Sequence, residues 1–560
     1  MLLGIDVGGT HTDAVIIDHK GVVATAKVET DHNDLIGSLD AVLERILSSH
    51  LTRPISKINL STTLTTNAIV ENELEEVGVL AVSGPGLAPY YFSSDLGHNF
   101  YLLAGSIDHR GTLQLKLDEF SANNAVADCQ KKQLKVFAVV SKFSIRNPEI
   151  EQTLADLVTT QADFIAIGHR LSGRLNFPRR LATAYYNAAV WRHFNTFADA
   201  ITQSLKKHNL NAPVNILKAD GGTIDFKNSR NNPIQTILSG PAASVMGIIA
   251  LSSITEDAII LDIGGTTTDI AIFANGAPLL EKEGVSFGGR ATSVRAIDTH
   301  SIGIGGDSAI TIGKNAKIMV GPKRLGPPLA LGGSQATLID ACNVKKLCDL
   351  GNSKKSFAGL QILAEKNQMK VVELADRVLE LTMKTIHKET NKLLEAINQR
   401  PVYTVEEVVH GQKIDPQKIY IMGGPAAILA QNLGQVFNLK TEVPENFAVA
   451  NAIGAALTRT TMEIELFADT GKKVMLIPNL DIKQEVSSSY SLNQAKEDGV
   501  NALTQHLKEN GHPEILNRDV SVVEAEAFNM VDDYAVGSKT IRVSCQIRPG
   551  LETNYLQGIK

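Results

Sequence analysis

The chain reads as an α/β protein of two related halves facing each other across a phosphate, with an α/β insertion and a small α+β module at the C-terminal end. Three observations predict this. The eight-residue pattern D-x-G-G-T-x-T-D occurs twice, as Asp6-Val7-Gly8-Gly9-Thr10-His11-Thr12-Asp13 and as Asp262-Ile263-Gly264-Gly265-Thr266-Thr267-Thr268-Asp269. Each copy lies between two apolar, β-rich runs, which predicts strand, tight turn, strand rather than the strand-to-helix turn of a Walker or Rossmann loop. A third strand-to-glycine junction, Ile419-Tyr420-Ile421-Met422 into Gly423-Gly424-Pro425, leads into a helix.

In the hairpins the glycines allow positive φ and let an anion approach bare backbone, while Thr hydroxyls and turn N–H groups can donate to phosphate oxygens. An Asp at each mouth can hold magnesium through water. One copy alone is equally well an ordinary glycine turn; two copies with the same flanking strands favour phosphate binding.

After the first hairpin a strand is expected over Val22–Val28. Asp34 reads as the cap of a helix whose apolar stripe runs from Leu35 to Leu47, and a short strand follows around Lys57–Leu60. This succession opens a ribonuclease-H-like unit. The run Ser61-Thr62-Thr63-Leu64-Thr65-Thr66-Asn67 is a hydroxyl-lined substrate edge or a polar helix start, with the former preferred. Residues 75–180 alternate strand runs (Val77–Val82, Val136–Val140, Phe164–Ile167) with a helix after Pro148, which predicts the insertion. The aromatic stripe from Leu181 to Leu205 is a core helix.

Val214–Leu217 is a buried strand ending in Asp220-Gly221-Gly222-Thr223, and Leu238–Ser244 opens a helix to about Leu251. Asn275-Gly276 marks a tight turn behind the second hairpin. In Asp298-Thr299-His300 the carboxylate and imidazole share a strand face. That suits metal ligation, but a hydrogen-bonded pair is the preferred reading. Gly303–Ser308 adds three glycines and Asp307, and Leu325–Gly333 is a loop. A long helix is expected over Val371–Ile397 and a helix of small residues over Glu445–Leu457. Beyond Thr460 the pattern is polar and mixed, with one clear strand at Lys539–Cys545. The expected divisions are 1–205, 206–462 and 463–560.

Composition narrows the function classes. A length of 560 residues with 43% hydrophobic and 20% charged residues describes a soluble multidomain protein, and a net charge of −6 argues against nucleic acid or anionic membrane as partner. Four dispersed cysteines without a CxxC pair indicate neither disulfides nor zinc. With no leader-like start and no apolar run of spanning length, a cytoplasmic protein is expected.

Taken in order, these stretches resemble the actin, heat-shock-chaperone and sugar-kinase superfamily, in which two ribonuclease-H-like domains clamp ATP. The hairpins are similar to its two phosphate motifs. Ile421–Ala426 resembles its adenosine motif, and Ala450–Ala456 its second connecting helix. Thr62–Ala68, Asp220-Gly221-Gly222, Leu238–Ser244, Asp298-Thr299-His300 and Gly303–Gly306 resemble the A-type subunit of the hydantoinase/oxoprolinase family, from residue 1 to about 460. Departures are Leu60-Ser61 in place of His-Gly, Asp307 in place of a small residue, and a reduced loop at Gly326–Gly333. The second half fused to long oxoprolinases is also absent.

The resemblance implies ATP and Mg2+ as cofactors, and phosphorylation of the carbonyl of a hydantoin- or oxoproline-like cyclic amide, with a B-type partner subunit. Homo-oligomerisation is compatible with it. Asp6, Asp13, Asp262 and Asp269 are the expected catalytic carboxylates, with Asp6 and Asp262 on magnesium and Asp298 and His300 as secondary metal candidates. Gly8, Gly9, Thr10, Thr12, Gly264, Gly265, Thr266 and Thr267 are expected on the phosphates. Gly305, Gly306, Asp307, Gly423, Gly424 and Pro425 are expected around the nucleoside, and Thr65, Thr66 and Asn67 on the substrate. The alternatives are a small-molecule kinase and a non-catalytic, nucleotide-switched module.

Overall fold

A computed structural model describes residues 1–559 except 32–33, 49–52, 87–95, 282, 314–316, 400–412 and 533–534. Two of its sheets share one plan. In the first, Leu2–Val7 pairs antiparallel with His11–Asp18, which pairs antiparallel with Gly21–Glu29. On its other side Leu2–Val7 runs parallel to Lys57–Thr62, which runs parallel to Val214–Leu217. In the second, Ala258–Ile263 pairs with Thr268–Ala274, and that strand pairs with Thr299–Ile302. Lys418–Met422 and then Lys440–Glu442 follow in parallel on the far side. Both sheets therefore have the order third, second, first, fourth, fifth, with matching strand directions.

The first strands are buried on both faces, so their near-continuous apolar runs are required by position. Leu3, Ile5 and Ile16 pack with Leu39, Leu43, Phe194 and Ile201 of two outer helices, Leu35–Leu47 and Phe177–Lys207. Asp34 caps the former by accepting the Gly37 N–H at 2.7 Å. On the inner face Leu2, Val15 and Ile17 meet Met246, Ala452 and Ile453. The second sheet buries Ile259, Leu261, Ile270 and Ile421 against its own outer helices, and Ile260, Phe273 and Tyr420 against Ala242, Val245 and Ile248. Two helices, Ser239–Leu251 and Ala450–Leu457, thus lie between the sheets. Their close crossing depends on missing side chains. A Cβ on Gly454 would collide with the Ala243 carbonyl oxygen, and one on Gly247 with that of Ala450.

Between the fourth and fifth strands of the first sheet the chain builds a separate parallel sheet, ordered Phe164–Ile167, Val136–Ser141, Val77–Val82, Phe100–Leu102. After Met462 an antiparallel sheet forms, ordered Ile482–Glu485, Val474–Ile477, Glu463–Asp469, Ala535–Ile547, Val520–Asp532, and the helix Leu492–Glu509 covers it through Ala495, Leu503 and Leu507. No helix among the described residues is long and apolar enough to cross a membrane.

The structure differs from the sequence reading at three places. A division after residue 205 would cut the first sheet, because Val214–Leu217 and Thr223–Asp225 are its last strands. The helix expected over Glu445–Leu457 begins only at Ala450, since Asn446 is left-handed (φ 60°) and a 3₁₀ turn, Phe447–Val449, intervenes. The Thr-rich run is a helix start: Leu64–Val70 is helical, with Thr63 at its N-terminus.

Candidate functional site

The two hairpins have the same construction. Asp6 lies opposite Asp13 and Val7 opposite Thr12, just as Asp262 lies opposite Asp269 and Ile263 opposite Thr268. The Gly8 N–H donates to the His11 carbonyl at 3.1 Å, and the Gly264 N–H to that of Thr267 at 2.9 Å. The glycines do not serve through positive φ, as the sequence reading supposed; Gly8, Gly9, Gly264 and Gly265 all lie outside that region. At Gly265 it is the missing side chain that matters. A Cβ on Gly265 would press on Asp307 Oδ2 at 2.8 Å and Thr10 Oγ1 at 3.1 Å, whereas the space around Gly9 is open. The tips meet, with Thr10 Oγ1 and Thr266 Oγ1 3.4 Å apart.

Behind the tips the four predicted carboxylates gather. Asp6 is buried and accepts the Ser61 hydroxyl, because the parallel register sets Ser61 beside it. Asp13 pairs with Lys27 at 2.7 Å through Oδ2, while its buried Oδ1 has no hydrogen-bond partner. Asp262 accepts Ser244 Oγ at 2.5 Å and lies 3.5 Å from Asn451 Nδ2. Asp269 sits opposite Ser301. Burial pushes Asp6 up to about 7, aided by the neighbouring charges of Asp13 and Asp262 and opposed by Ser61. Burial, with Asp262 beside it, likewise pushes Asp269 up to about 7. Asp13 and Asp262 are raised by burial, against the opposing pull of Lys27 and of Ser244, respectively. Such a group of carboxylates, with one orphaned oxygen, fits a cation. No three His, Cys, Asp or Glu side chains converge into a direct metal-binding group among the described residues.

The nucleoside candidates fall into two segments that touch. Gly305, Gly306 and Asp307 are strapped to the second hairpin: the Gly306 N–H donates to the Gly264 carbonyl at 2.9 Å and the Asp307 N–H to that of Gly265 at 2.7 Å. Asp307 also pairs with Arg324 at 3.0 Å. Gly423 is left-handed (φ 90°), and a Cβ on it would meet Asp262 Oδ1 at 2.6 Å; Gly424 faces open space and Pro425 lies against Gly306. Thr266 and Thr267 are partly exposed at the tip. His11 at the cleft mouth is pushed down to about 4 by desolvation and by the charges of Lys27 and Arg324, so its ring is neutral near pH 7.

Several expected residues are elsewhere. Thr12, expected on phosphate, is fully buried with its hydroxyl 3.0 Å from that of Thr30, and so braces the hairpin. Its counterpart Thr268 donates to the Ile304 carbonyl at 2.7 Å. Thr65 is buried with its hydroxyl 2.8 Å from that of Thr236, and Thr66 Oγ1 accepts the Leu238 N–H at 2.8 Å. Both tie the Thr-rich helix to the segment before Ser239 rather than lining an edge; Asn67 remains partly exposed. Asp298 is buried, and His300 Nε2 lies 4.0 Å from a Glu389 oxygen. That pair has no third ligand within a metal-binding group among the described residues. Sequence reasoning missed Ser61, Ser244, Asn451 and Lys27, which hold the carboxylates. The one signal was Ser61, standing where a different pair was expected.

The sequence model described as hydantoinase/oxoprolinase matches residues 180–464, and that of the hydantoinase/oxoprolinase N-terminal region matches residues 2–161. The chain is 24% identical over 372 residues to caprolactamase subunit alpha of Pseudomonas jessenii, covering 60% of this chain and 53% of that one, so it spans about half the length of that curated relative. It is 23% identical over 513 residues to an uncharacterised protein of Methanocaldococcus jannaschii, covering 81% of this chain and 72% of that one. Among solved structures, nucleotide-free acetone carboxylase superposes with a TM-score of 0.72 at 16% identity, over 99% of this chain and 88% of that one. The ATP-dependent caprolactamase of P. jessenii superposes with a TM-score of 0.67 at 18% identity, over 97% and 87%. These likenesses show a shared fold, as expected of actin-like ATPase domains.

Proposed function

The chain belongs to the hydantoinase/oxoprolinase family, and from that premise we propose that it uses ATP to activate the carbonyl of a small cyclic amide by phosphorylation. The reading rests chiefly on one observation: two matching hairpins meet at Thr10 and Thr266, with four carboxylates behind them. An ATP-dependent caprolactamase among the similar proteins supports an amide ring as the acceptor.

Thr10, Thr266 and the turn N–H groups would hold the phosphates, with Gly9 and Gly265 keeping the approach clear. Gly423 and Gly424, with Gly305 and Gly306 behind them, would face the nucleoside. Asp6 and Asp262 would hold Mg2+ through water, and the ion supplies charge neutralisation between carboxylates and phosphates. The amide oxygen forms a bond to the γ-phosphorus as the bond to the β–γ bridging oxygen breaks. ADP leaves, and the amide N–H proton is lost as the C–N bond becomes C=N, giving an O-phosphorylated imidate. Asp262, held by Ser244 and Asn451, would orient the acceptor. Water must then add to that carbon and the C–N bond break, the hydroxyl proton passing to the departing nitrogen, to leave an acyl phosphate that a second water hydrolyses to carboxylate and phosphate. The described residues show no Ser or Cys nucleophile activated for this step, and the name "subunit alpha" carried by the relative supports a B-type partner that completes it.

Phosphate release from Mg·ATP by the purified chain, with and without cyclic amides, tests the proposal. Amide-stimulated release is expected, whereas a slow rate indifferent to every amide would indicate a nucleotide switch instead.

A further inference from the structure

A cation from outside both octapeptides reaches the hairpin tips. Ile318–Arg324 is a strand paired antiparallel with Ser308–Ile312, and the register sets Arg324 opposite Ser308. Arg324 therefore lies beside Asp307, and its Nε donates to Asp307 Oδ2 at 3.0 Å. That carboxylate oxygen is itself at the tips. The point a Gly265 Cβ would occupy is 2.8 Å from Asp307 Oδ2 and 3.1 Å from Thr10 Oγ1, and Thr10 Oγ1 is 3.4 Å from Thr266 Oγ1. Across the cleft, the His11 imidazole is depressed by desolvation and then by the charges of Lys27 and Arg324. Arg324 thus belongs to the second half of the fold and faces the first.

The segment that carries it is braced on both flanks. Ser308 Oγ accepts the Gly305 N–H at 2.8 Å, and a Cβ on Gly303 would collide with Pro322, so the strand lies tight on the glycine run. After Arg324 the chain enters the loop Leu325–Gly333, where the Leu329 and Ala330 N–H groups each donate to the buried carboxylate of Asp340 at 3.0 Å. The helix bearing Asp340, Leu338–Val344, returns to the same run, its Ile339 N–H donating to the Gly306 carbonyl at 3.0 Å. A side chain held this way has little freedom left to lose when it takes an anion.

A guanidinium carries five N–H donors in a planar fork. Asp307 takes the one on Nε, and no acceptor among the described residues engages the terminal nitrogens. Lys27 is differently placed, since its ammonium is already bonded to Asp13 at 2.7 Å and to the Ala448 carbonyl at 3.1 Å. In phosphoryl transfer the charge on the equatorial oxygens of the moving group is best neutralised by donors fixed beforehand. Asp307 has a matching use. A bare carboxylate so close to the tips would repel a phosphate; with Arg324 bound to it, it aims a cation there instead.

We propose that Arg324, aimed by Asp307, is a catalytic cation of this chain, whose free terminal nitrogens bind the γ-phosphoryl group of ATP. They hold its charge while the γ-phosphorus parts from the β–γ bridging oxygen, whose electron pair leaves with ADP, and bonds to the acceptor oxygen. This role rests on the ATP-dependent reading above, and Asp307 is a positioning residue within it.

Equilibrium binding of Mg·ADP and of Mg·AMP-PNP, whose γ-phosphate is not transferred, to the full chain tests it. The wild type is expected to bind both. Arg324→Gln should bind AMP-PNP at least about tenfold more weakly, about 1.4 kcal/mol, with ADP affinity unchanged, and its phosphate release from Mg·ATP should slow. Arg324→Lys keeps the charge without the fork and should lose less, which serves if the glutamine variant fails to fold. Asp307→Ala should weaken AMP-PNP selectively as well, whereas loss of a merely repelling carboxylate would tighten it and overturn the positioning role. Equal weakening of ADP and AMP-PNP, as a purely structural ion pair would give, overturns the assignment, as does AMP-PNP affinity unmoved by Arg324→Gln. A wild-type chain that binds neither nucleotide sinks the ATP-dependent reading itself, and is scored before any variant.

Discussion

Replacing Asp6 by Asn should make the unliganded protein more stable above pH 7 while impairing its handling of Mg·ATP. Asp6 is 4% exposed, and its carboxyl is pushed up to about 7 from an ordinary value of 3.8. Because the folded value lies above the unfolded one, its stability contribution is fully present below about pH 4 and is lost as pH rises through about 7. A difference of about 3 units corresponds to roughly 4 kcal/mol. That figure is a ceiling, since Asp13 and Asp262 ionise more easily once Asp6 is neutral. Asn presents the same acceptor to Ser61, so little else is disturbed. Thermal melts without magnesium at pH 5, 6, 7 and 8 are the assay. The variant should already exceed wild type at pH 5, gain further up to pH 7 and level off by pH 8, at about 2–4 °C per kcal/mol if the unit that melts is 150–250 residues. A gain independent of pH, or a variant less stable at pH 8, would refute the account of buried, mutually repelling carboxylates.

Asp262→Asn should lower ATPase activity by roughly 10²–10⁴-fold with ATP affinity nearly unchanged, as equilibrium binding beside steady-state phosphate release will show. Magnesium alone should raise the melting temperature more at pH 8 than at pH 5.5, because it can bind Asp6 only once that carboxyl ionises through about 7; an equal shift at both pH values would contradict this. Gly454→Ala forces a Cβ into the Ala243 carbonyl at the helix crossing, and should cost about 1–3 kcal/mol in urea unfolding.

The legible parts of this fold were local. A repeated octapeptide between apolar runs sufficed to place both hairpins with the same register, and Asn275-Gly276 formed the left-handed turn its residues require (φ 48° and 77°). The parts not legible depend on pairings distant in sequence. Val214–Leu217 joins a strand more than 150 residues earlier, across an inserted sheet, so its membership of the first half carries no local mark. Ser244 and Asn451 reach Asp262 only because two helices of small residues cross between the sheets. Thr12 repeats in both octapeptides, yet strand alternation turns it away from its neighbour Asp13 and into the core. The Asp220-Gly221-Gly222 turn was visible as a pattern, but Thr461, against which Gly222 packs, begins a module whose polar strands give weak periodicity.

The central claim is that the joined hairpins hold Mg·ATP, and the most direct measurement is thermal stability of the purified chain across an Mg·ATP titration. At a concentration a hundredfold above the dissociation constant, binding should stabilise the fold by about 2.7 kcal/mol, with the shift reduced in Gly265→Val, where a branched side chain would fill the gap between Thr10 and Asp307. A melting temperature unmoved by millimolar Mg·ATP would contradict the account.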